Sequence, residues 1–314
     1  MIGPSSLRHR MVLPAVCAPM FLISGPELVA ASCKSGIMGV LPRHNARDLG
    51  TFERWLAEIR DALAQFEAGR PAHRAGPLAV NLATAADDAS LELCARYGVE
   101  IVISAQGNPA DLAARVHQHG LRIYHDVTSI RFAEKAIAAG VDGLICIGAG
   151  GGGHSGTVTP LVLIPRVRAM FDGVVILAGG IGTGAAIRAA EVLGADLAYL
   201  GTRFIATQES RAAAEHKAML VAGDATDLCF VELTAGAPAN WLLPSMRAAG
   251  LEGARPASGL PDGVKPWRDV WSAGQSIDLI DDIPSVAELV ERLRVEYSTA
   301  CRVPDCTVGA AHTS

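Results

Sequence analysis

The sequence predicts an α/β fold, a parallel (β/α)8 TIM barrel with a smaller C-terminal helical cap segment. Three observations carry that reading. Short apolar runs alternate with helix-period segments from Val12 to Ala222, at about 25-residue spacing. Strands that alternate with helices run parallel, and eight such units favour a closed barrel over an open doubly wound sheet. Three of the runs end abruptly in glycine: LICIGAGGGGH (Leu144–His154), VVILAGG (Val174–Gly180) and YLG (Tyr199–Gly201). After Ala222 the periodicity stops. The chain therefore divides into a barrel over 1–222, a cap or substrate segment over 223–284, and a closing helix and tail over 285–314.

Each element has a local reason. Val12–Met20 is an apolar strand ending in Pro19 and Met20. Ser24–Ser35 places Leu28, Val29 and Cys33 at helical spacing, and Gly36 ends it. Ile37–Leu41 is a buried strand stopped by Pro42. Leu49–Phe66 puts Phe52, Leu56, Ile59, Leu63 and Phe66 on one helical face. Strands follow at Leu78–Leu82, Glu100–Ala105, Arg122–Val127 and Val141–Ile147. Helices at Asp87–Tyr97, Pro109–His119 and Ser129–Ala139 separate them, each ending at a glycine. Pro160–Phe171, Gly184–Leu193 and Ser210–Ala222 are helical, with strands at Val174–Ala178 and Leu197–Gly201 between them. Asp224–Pro284 is rich in Gly, Pro and Trp and is expected to form a partly helical lid. Val286–Tyr297 closes the fold with Leu289, Val290 and Leu293 inward, and Ala300–Ser314 is a loose tail.

Composition narrows the classes. The chain has 314 residues, is 50% hydrophobic and carries a net charge of −5, so it has a large core and no basic footprint for nucleic acid. Its 7 cysteines show no CxxC pair and no His partner set for a metal, which points to reduced thiols in the cytoplasm. Cys17, Cys33 and Cys146 lie on apolar runs and read as inert. The N-terminus is too short in its apolar part for a signal peptide, and no stretch reaches the length of a membrane span. No GxSxG elbow is present, which argues against a serine hydrolase.

In a parallel barrel, ligands meet the residues just after the strands. Gly179 and Gly180 before a helix, with Gly201 and Thr202 after the last strand, suit a phosphate, because glycine admits close backbone approach and free N–H groups face the anion. The alternative is that these glycines only make tight turns. His154 at the end of a glycine loop suits an acid, a base or a substrate donor. A histidine satisfied by local backbone is the alternative. Asp126 either orients a ligand group or caps the next helix, since DVTS is a plausible helix start. His125 alternates with it, so one of the two points away from the barrel interior. Asn81 and Gln106 are neutral amides able to meet a heterocycle edge, or turn formers. Trp241, Trp267 and Trp271 wall a pocket or pack the core. The GxGxxG spacing inside GAGGGGH is weak alone, as it follows the sixth strand and no acidic ribose ligand lies about 20 residues on.

Taken together, APMF (Ala18–Phe21), VNL (Val80–Leu82), HDVTSIRFAEKAIAAGVDG (His125–Gly143), GGHSGT (Gly152–Thr157), LAGGI (Leu177–Ile181) and GADLAYLGTRFIAT (Gly194–Thr207) resemble the nitronate monooxygenase family. The resemblance covers about residues 12–222, and WSAGQ with the final helix is similar to the family's tail. It implies an FMN-dependent barrel oxidising alkyl nitronates with O2. It places Ala18, Pro19 and Met20 beside the flavin ring, Asn81 at the ring or ribityl, and Gly152, with Gly153, in the loop by the flavin. Gly179, Gly180, Tyr199, Leu200, Gly201 and Thr202 then hold the phosphate, and His154 matches the catalytic histidine. Gln106 and Asp126 complete the candidate cofactor set from their positions at strand ends. The chain departs from many relatives at Ile147, Gly150 and Gly151, and from some quinone reductases at Asp126, where those have lysine. Two other functions stay open: an NAD(P)H-dependent quinone or enoyl reductase on the same fold, and a non-catalytic binder of a phosphate ligand. The expected partners are a small-molecule substrate and O2 or NAD(P)H, without nucleic acid or membrane, and a homodimer is a candidate assembly.

Overall fold

The computed structural model describes residues 7–70, 73–233, 238–251 and 260–302. Eight parallel strands close into a barrel. They are β1 (Ala15–Cys17), β2 (Met38–Pro42), β3 (Leu78–Ala83), β4 (Ile101–Ala105), β5 (Arg122–Val127), β6 (Gly143–Ile147), β8 (Val174–Ala178) and β9 (Leu197–Leu200). Closure comes from β1, which pairs in parallel with β2 on one side and β9 on the other. This first strand is shorter than its apolar run suggests. Pro14 and Pro19 lack the N–H that a ladder needs, so the pairing is confined between them.

The helices are α1 (Pro26–Lys34), α2 (Leu49–Ala68), α3 (Asp88–Arg96), α4 (Ala110–Gln118), α5 (Ile130–Ala138), α6 (Pro160–Arg168), α7 (Gly184–Val192), the short α8 (Thr202–Ile205), α9 (Ala214–Ala222), α10 (Leu243–Ala248) and α11 (Val286–Ala300). Their starts follow capping chemistry. Asp48, Asp87, Ser129 and Thr183 each accept the N–H that opens α2, α3, α5 and α7, and Ser285 with Glu288 forms a capping box on α11. Ser129, not Asp126, caps α5, so the Asp126 carboxyl has no capping duty. Gly120 and Gly140 end helices with φ of 70° and 81°; a Cβ there would meet nothing, so conformation and not space calls for glycine. Phe66 departs from the expected buried face of α2. It is half-buried, with the Arg70 guanidinium 4.7 Å from its ring.

Alternation splits the buried residues into two layers. Val16, Met38, Ile103, Tyr124, Ile145 and Ile176 belong to the cluster inside the barrel, and Leu7 packs with them at its N-terminal end. Cys17, Leu41, Leu82, Val127, Cys146 and Leu177 face the helices. Burial pushes the Cys17, Cys33 and Cys146 thiols up to about 12, which fits their expected inertness.

The cap departs from expectation. Among the described residues it has the short helix α10 and 3-10 turns at Ala225–Asp227 and Gln275–Leu279, but also strands β10 (Leu228–Val231) and β11 (Ala239–Leu242). These pair antiparallel with each other, and β11 pairs antiparallel with β7 (Gly153–His154), a short strand inside the glycine loop. The β11–β7 pairing is set by backbone partners far apart in sequence, which periodicity does not register. The expected tail beyond Arg302 lies outside the described residues. Among the described residues no helix is long and apolar enough to cross a membrane.

The closing helix α11 lies close against α7. Glu296 Oε2 accepts the Gly184 N–H at 2.7 Å, and a Cβ at Gly184 would run into the Leu293 carbonyl and the Tyr297 N–H. Gly184→Ala is expected to cost about 1–3 kcal/mol through overpacking. Urea denaturation checks this, and an unchanged midpoint would show that α11 yields freely.

Candidate active site at the barrel mouth

The C-terminal ends of the strands gather most of the sequence candidates. A Cβ built on Gly201 would lie 3.8 Å from the Ala18 Cβ and 3.9 Å from the Met20 sulfur, so the ends of β1 and β9 meet. The segment after β1 is fixed from outside. Met20 N–H donates to Ser24 Oγ at 3.0 Å, and Asn45 Nδ2 donates to the Met20 and Ser24 carbonyls. Gly179 takes φ of 115°, and a Cβ there would approach the Gly148 carbonyl to 3.0 Å. Gly180 takes φ of 73° and faces open space. The two thus form a tight turn after β8 with one backbone face uncovered.

The glycine loop is held by a segment that sequence reading did not place. Gly274 N–H donates to Thr202 Oγ1 at 2.8 Å, Gln275 N–H donates to the Gly150 carbonyl at 2.9 Å, and Asn240 Nδ2 donates to the Gly151 carbonyl at 2.6 Å. A Cβ on Gly152 would meet Gly274 N at 2.9 Å and Thr202 Oγ1 at 3.1 Å. WSAGQ was visible as a motif, but nothing in its composition tells that it wedges between the loop and β9. Asn240 carried no sequence signal beyond its neighbourhood to Trp241.

The remaining candidates divide. Asn81 projects from β3 and donates to the Ile103 carbonyl at 3.2 Å. Gln106 sits on the exposed turn after β4 with φ of 61°, a left-handed value rare for a non-glycine residue. By strand order β4 is opposite β9, so Gln106 is on the far wall from the glycine turns. The Leu200 side chain is fully buried on the helix-facing layer and its carbonyl accepts the Ala18 N–H, so any part it takes at the mouth is played by its backbone. His125 also turns outward, where its Nδ1 meets Ser104 Oγ at 2.8 Å and burial lowers it to about 4. Asp126 therefore takes the inward face. Its Oδ1 is buried without a partner, and burial raises the carboxyl to about 7. The Tyr199 hydroxyl, on the inward face of β9, is buried without a partner as well.

His154 is half-buried on β7, opposite Ala239 of β11. Its ring lies 5.3 Å from Trp267, edge to face, and Trp267 lies 5.0 Å from Trp241 and 6.4 Å from Phe21. Burial lowers its pKa below the ordinary imidazole value, so the ring is neutral at pH 7. The tryptophans take different parts. Trp241 is sealed in the cap core and donates to the Val231 carbonyl; Trp271 stacks on His216; Trp267 stands beside His154 with φ of 60°. A bulky residue in that conformation is strained and must be held by its surroundings. The mouth thus joins an uncovered glycine turn, two partnerless polar side chains and a neutral imidazole against an aromatic wall.

The chain is 31% identical over 199 residues to a 5-hydroxy-7a-methyl-1-oxo-octahydro-1H-indene-4-carboxyl-CoA dehydrogenase of Rhodococcus jostii, covering 63% of this chain and 53% of that protein. The chain thus spans about half the length of that relative. It is 27% identical to a nitronate monooxygenase of Paraburkholderia phytofirmans over 90% of this chain and 92% of the other. Among solved structures, FabK from Thermotoga maritima superposes with a TM-score of 0.79 at 26% identity, over 95% and 96% of the two chains. A nitroalkane oxidase from Streptomyces ansochromogenes gives 0.76 at 25% identity, over 94% and 98%. The nitronate monooxygenase family model matches residues 6–248, a span that takes in every barrel strand, the His154 loop and the cap strand that pairs with it, and the chain belongs to that family.

Proposed function

We propose that the chain is an FMN-dependent oxidoreductase that oxidises alkyl nitronates with O2 at the barrel mouth. The observation that carries this reading is the neutral, half-buried His154, set between the glycine loop and Trp267. The mouth also fits a flavin. The buried Asp126 Oδ1 and Tyr199 hydroxyl lack partners, which a polar ring edge would satisfy, and the turn at Gly180 leaves backbone uncovered for a phosphate. Bound FMN supplies an electron acceptor that can pass electrons on to oxygen.

Each residue has a part. Gly179, Gly180, Gly201 and Thr202 would hold the phosphate through backbone N–H groups and the Thr202 hydroxyl. Ala18, Pro19 and Met20 would flank the ring, Asn81 and Gln106 would meet its polar edge or the ribityl chain, and Gly152 and Gly153 would let the loop approach. Trp267, packed edge-on, limits the contact of His154 with water. The imidazole takes the proton from the carbon beside a nitro group, or donates to the nitro oxygens of a substrate that arrives already ionised. Cys17, Cys33, Cys94 and Cys146 are buried free thiols, which supports a cytoplasmic setting.

A second reading has a specific basis: the dehydrogenase relatives are named for a carboxyl-CoA substrate. An NAD(P)H-dependent reductase on this barrel would use the same mouth. Anaerobic mixing of the FMN-loaded protein with an alkyl nitronate, and separately with NADH, separates the two. Bleaching of flavin absorbance by nitronate alone supports the first, and bleaching by NADH alone supports the second. Bound flavin that responds to neither withdraws both and leaves a binding protein.

His154→Ala is expected to lower kcat/KM for a nitronate or nitroalkane about 100- to 10,000-fold, the usual range for a lost acid or base, while FMN stays bound. Loss of flavin absorbance in that variant would assign the residue a structural role. Trp267→Ala should let water reach the ring. Burial depresses the imidazole by disfavouring its charged form, so exposure raises the His154 pKa toward the ordinary value. The acid limb of the pH profile moves up with it, which NMR titration of the imidazole checks directly.

A further inference from the structure

Asp126 and Tyr199 sit on inward faces near the C-terminal ends of β5 and β9, and Asp126 Oδ1 and the Tyr199 hydroxyl are buried without a hydrogen-bond partner. The Tyr124 hydroxyl, two residues earlier on β5 and on the same face, is partnerless too. A carboxylate whose buried oxygen meets neither a cation nor a donor, as Asp126 Oδ1 does, is costly, whereas a carboxylic acid is neutral and requires only an acceptor. A phenol requires the same. These side chains therefore present O–H donors to the interior of the mouth.

The surroundings support the neutral form. Burial, and next the nearby Asp126 carboxyl, push the Tyr199 phenol up, so it stays protonated. Burial pushes the Tyr124 phenol well above its ordinary value and the Cys146 thiol up to about 12, so neither ionises beside Asp126. His125 turns to the other face of the sheet. His154 and His44, in the mouth and at its rim, are held below the ordinary imidazole value by burial, so neither carries charge above pH 6.5. Burial is the cause of the Asp126 shift, and no cation offsets it.

We propose that Asp126, as its protonated acid, and Tyr199 form a paired donor site for the acceptor edge of the flavin ring. The ring offers carbonyl oxygens and imine nitrogens there, and a carboxylate could not donate to them. The inference rests on the flavin reading above and adds a proton to it: the cofactor selects the acid form of Asp126, so FMN binding takes up a proton once the pH exceeds the Asp126 pKa of about 7.

The test is titration of the apoprotein with FMN, followed by quenching of flavin fluorescence, at pH 6.5, 7.5 and 8.5. The phosphate's second proton, with a pKa of about 6, is largely gone throughout this window. Wild-type Kd should rise toward about tenfold per pH unit above 7, as the competent acid fraction falls. Asp126→Asn keeps a neutral donor and should give a nearly flat profile, binding more tightly than wild type at pH 8.5. Tyr199→Phe should weaken binding at every pH and keep the wild-type slope. A flat wild-type profile, or an Asp126→Asn slope equal to wild type, overturns the proposal while leaving FMN binding in place. Failure of wild type to bind FMN at any pH overturns the flavin reading and this inference together.

Discussion

Everything at the mouth depends on how a run of glycines is made to hold still. Gly150–Gly153 has no side chains to pack, and glycine loses more backbone freedom on ordering than any other residue. The loop is fixed instead by its own backbone. Its carbonyls accept from Gln275 and Asn240, and its last residues join a sheet with β11. Each such bond contributes about 1 kcal/mol net, and several are needed to offset the entropy of so flexible a segment. The return is close approach: Gly152, Gly274 and Thr202 come together at distances that a Cβ would forbid. The cap therefore does more than cover the barrel. It supplies the strand that turns a loop histidine into a positioned one.

Burial sets the electrostatics of this mouth. His154 is depressed and Asp126 is raised by the same cause, removal of water from the charged form. Both shifts favour neutral side chains near pH 7. A neutral imidazole can accept a proton, and a neutral acid can donate a hydrogen bond, so desolvation gives each group the state its proposed task requires. The strain at Trp267 belongs to the same arrangement. The cap holds Trp267 in a strained conformation that brings its indole edge-on to the half-buried His154.

Much of the barrel was legible because its information is local. Apolar runs of strand length, helix-period faces such as Phe52, Leu56, Ile59 and Leu63, and terminal glycines such as Gly120 and Gly140 can each be read within about ten residues of sequence. The glycine turns at Gly179–Gly180 and the position of His154 after β6 were legible for the same reason. Asp126 was half-legible. Alternation required that either it or His125 face inward, but only the Ser104–His125 contact and the Ser129 cap decide which. Leu200 and Tyr199 are neighbours in a motif but lie on opposite faces of the strand, which adjacency in sequence alone does not distinguish.

The sequence by itself determined the eight-unit barrel, the inert buried cysteines and the histidine at the end of the glycine loop. Tertiary structure alone decided that the cap contributes strands, that Trp267 and not Trp271 meets His154, that WSAGQ braces the glycine loop, and that Asp126 is left facing inward without a partner. The division follows from the physics. Periodicity and capping are written in neighbouring residues, whereas the β11–β7 pairing, wedged glycines and stranded polar atoms arise from segments far apart in the chain, whose backbone hydrogen bonds leave no mark on either sequence.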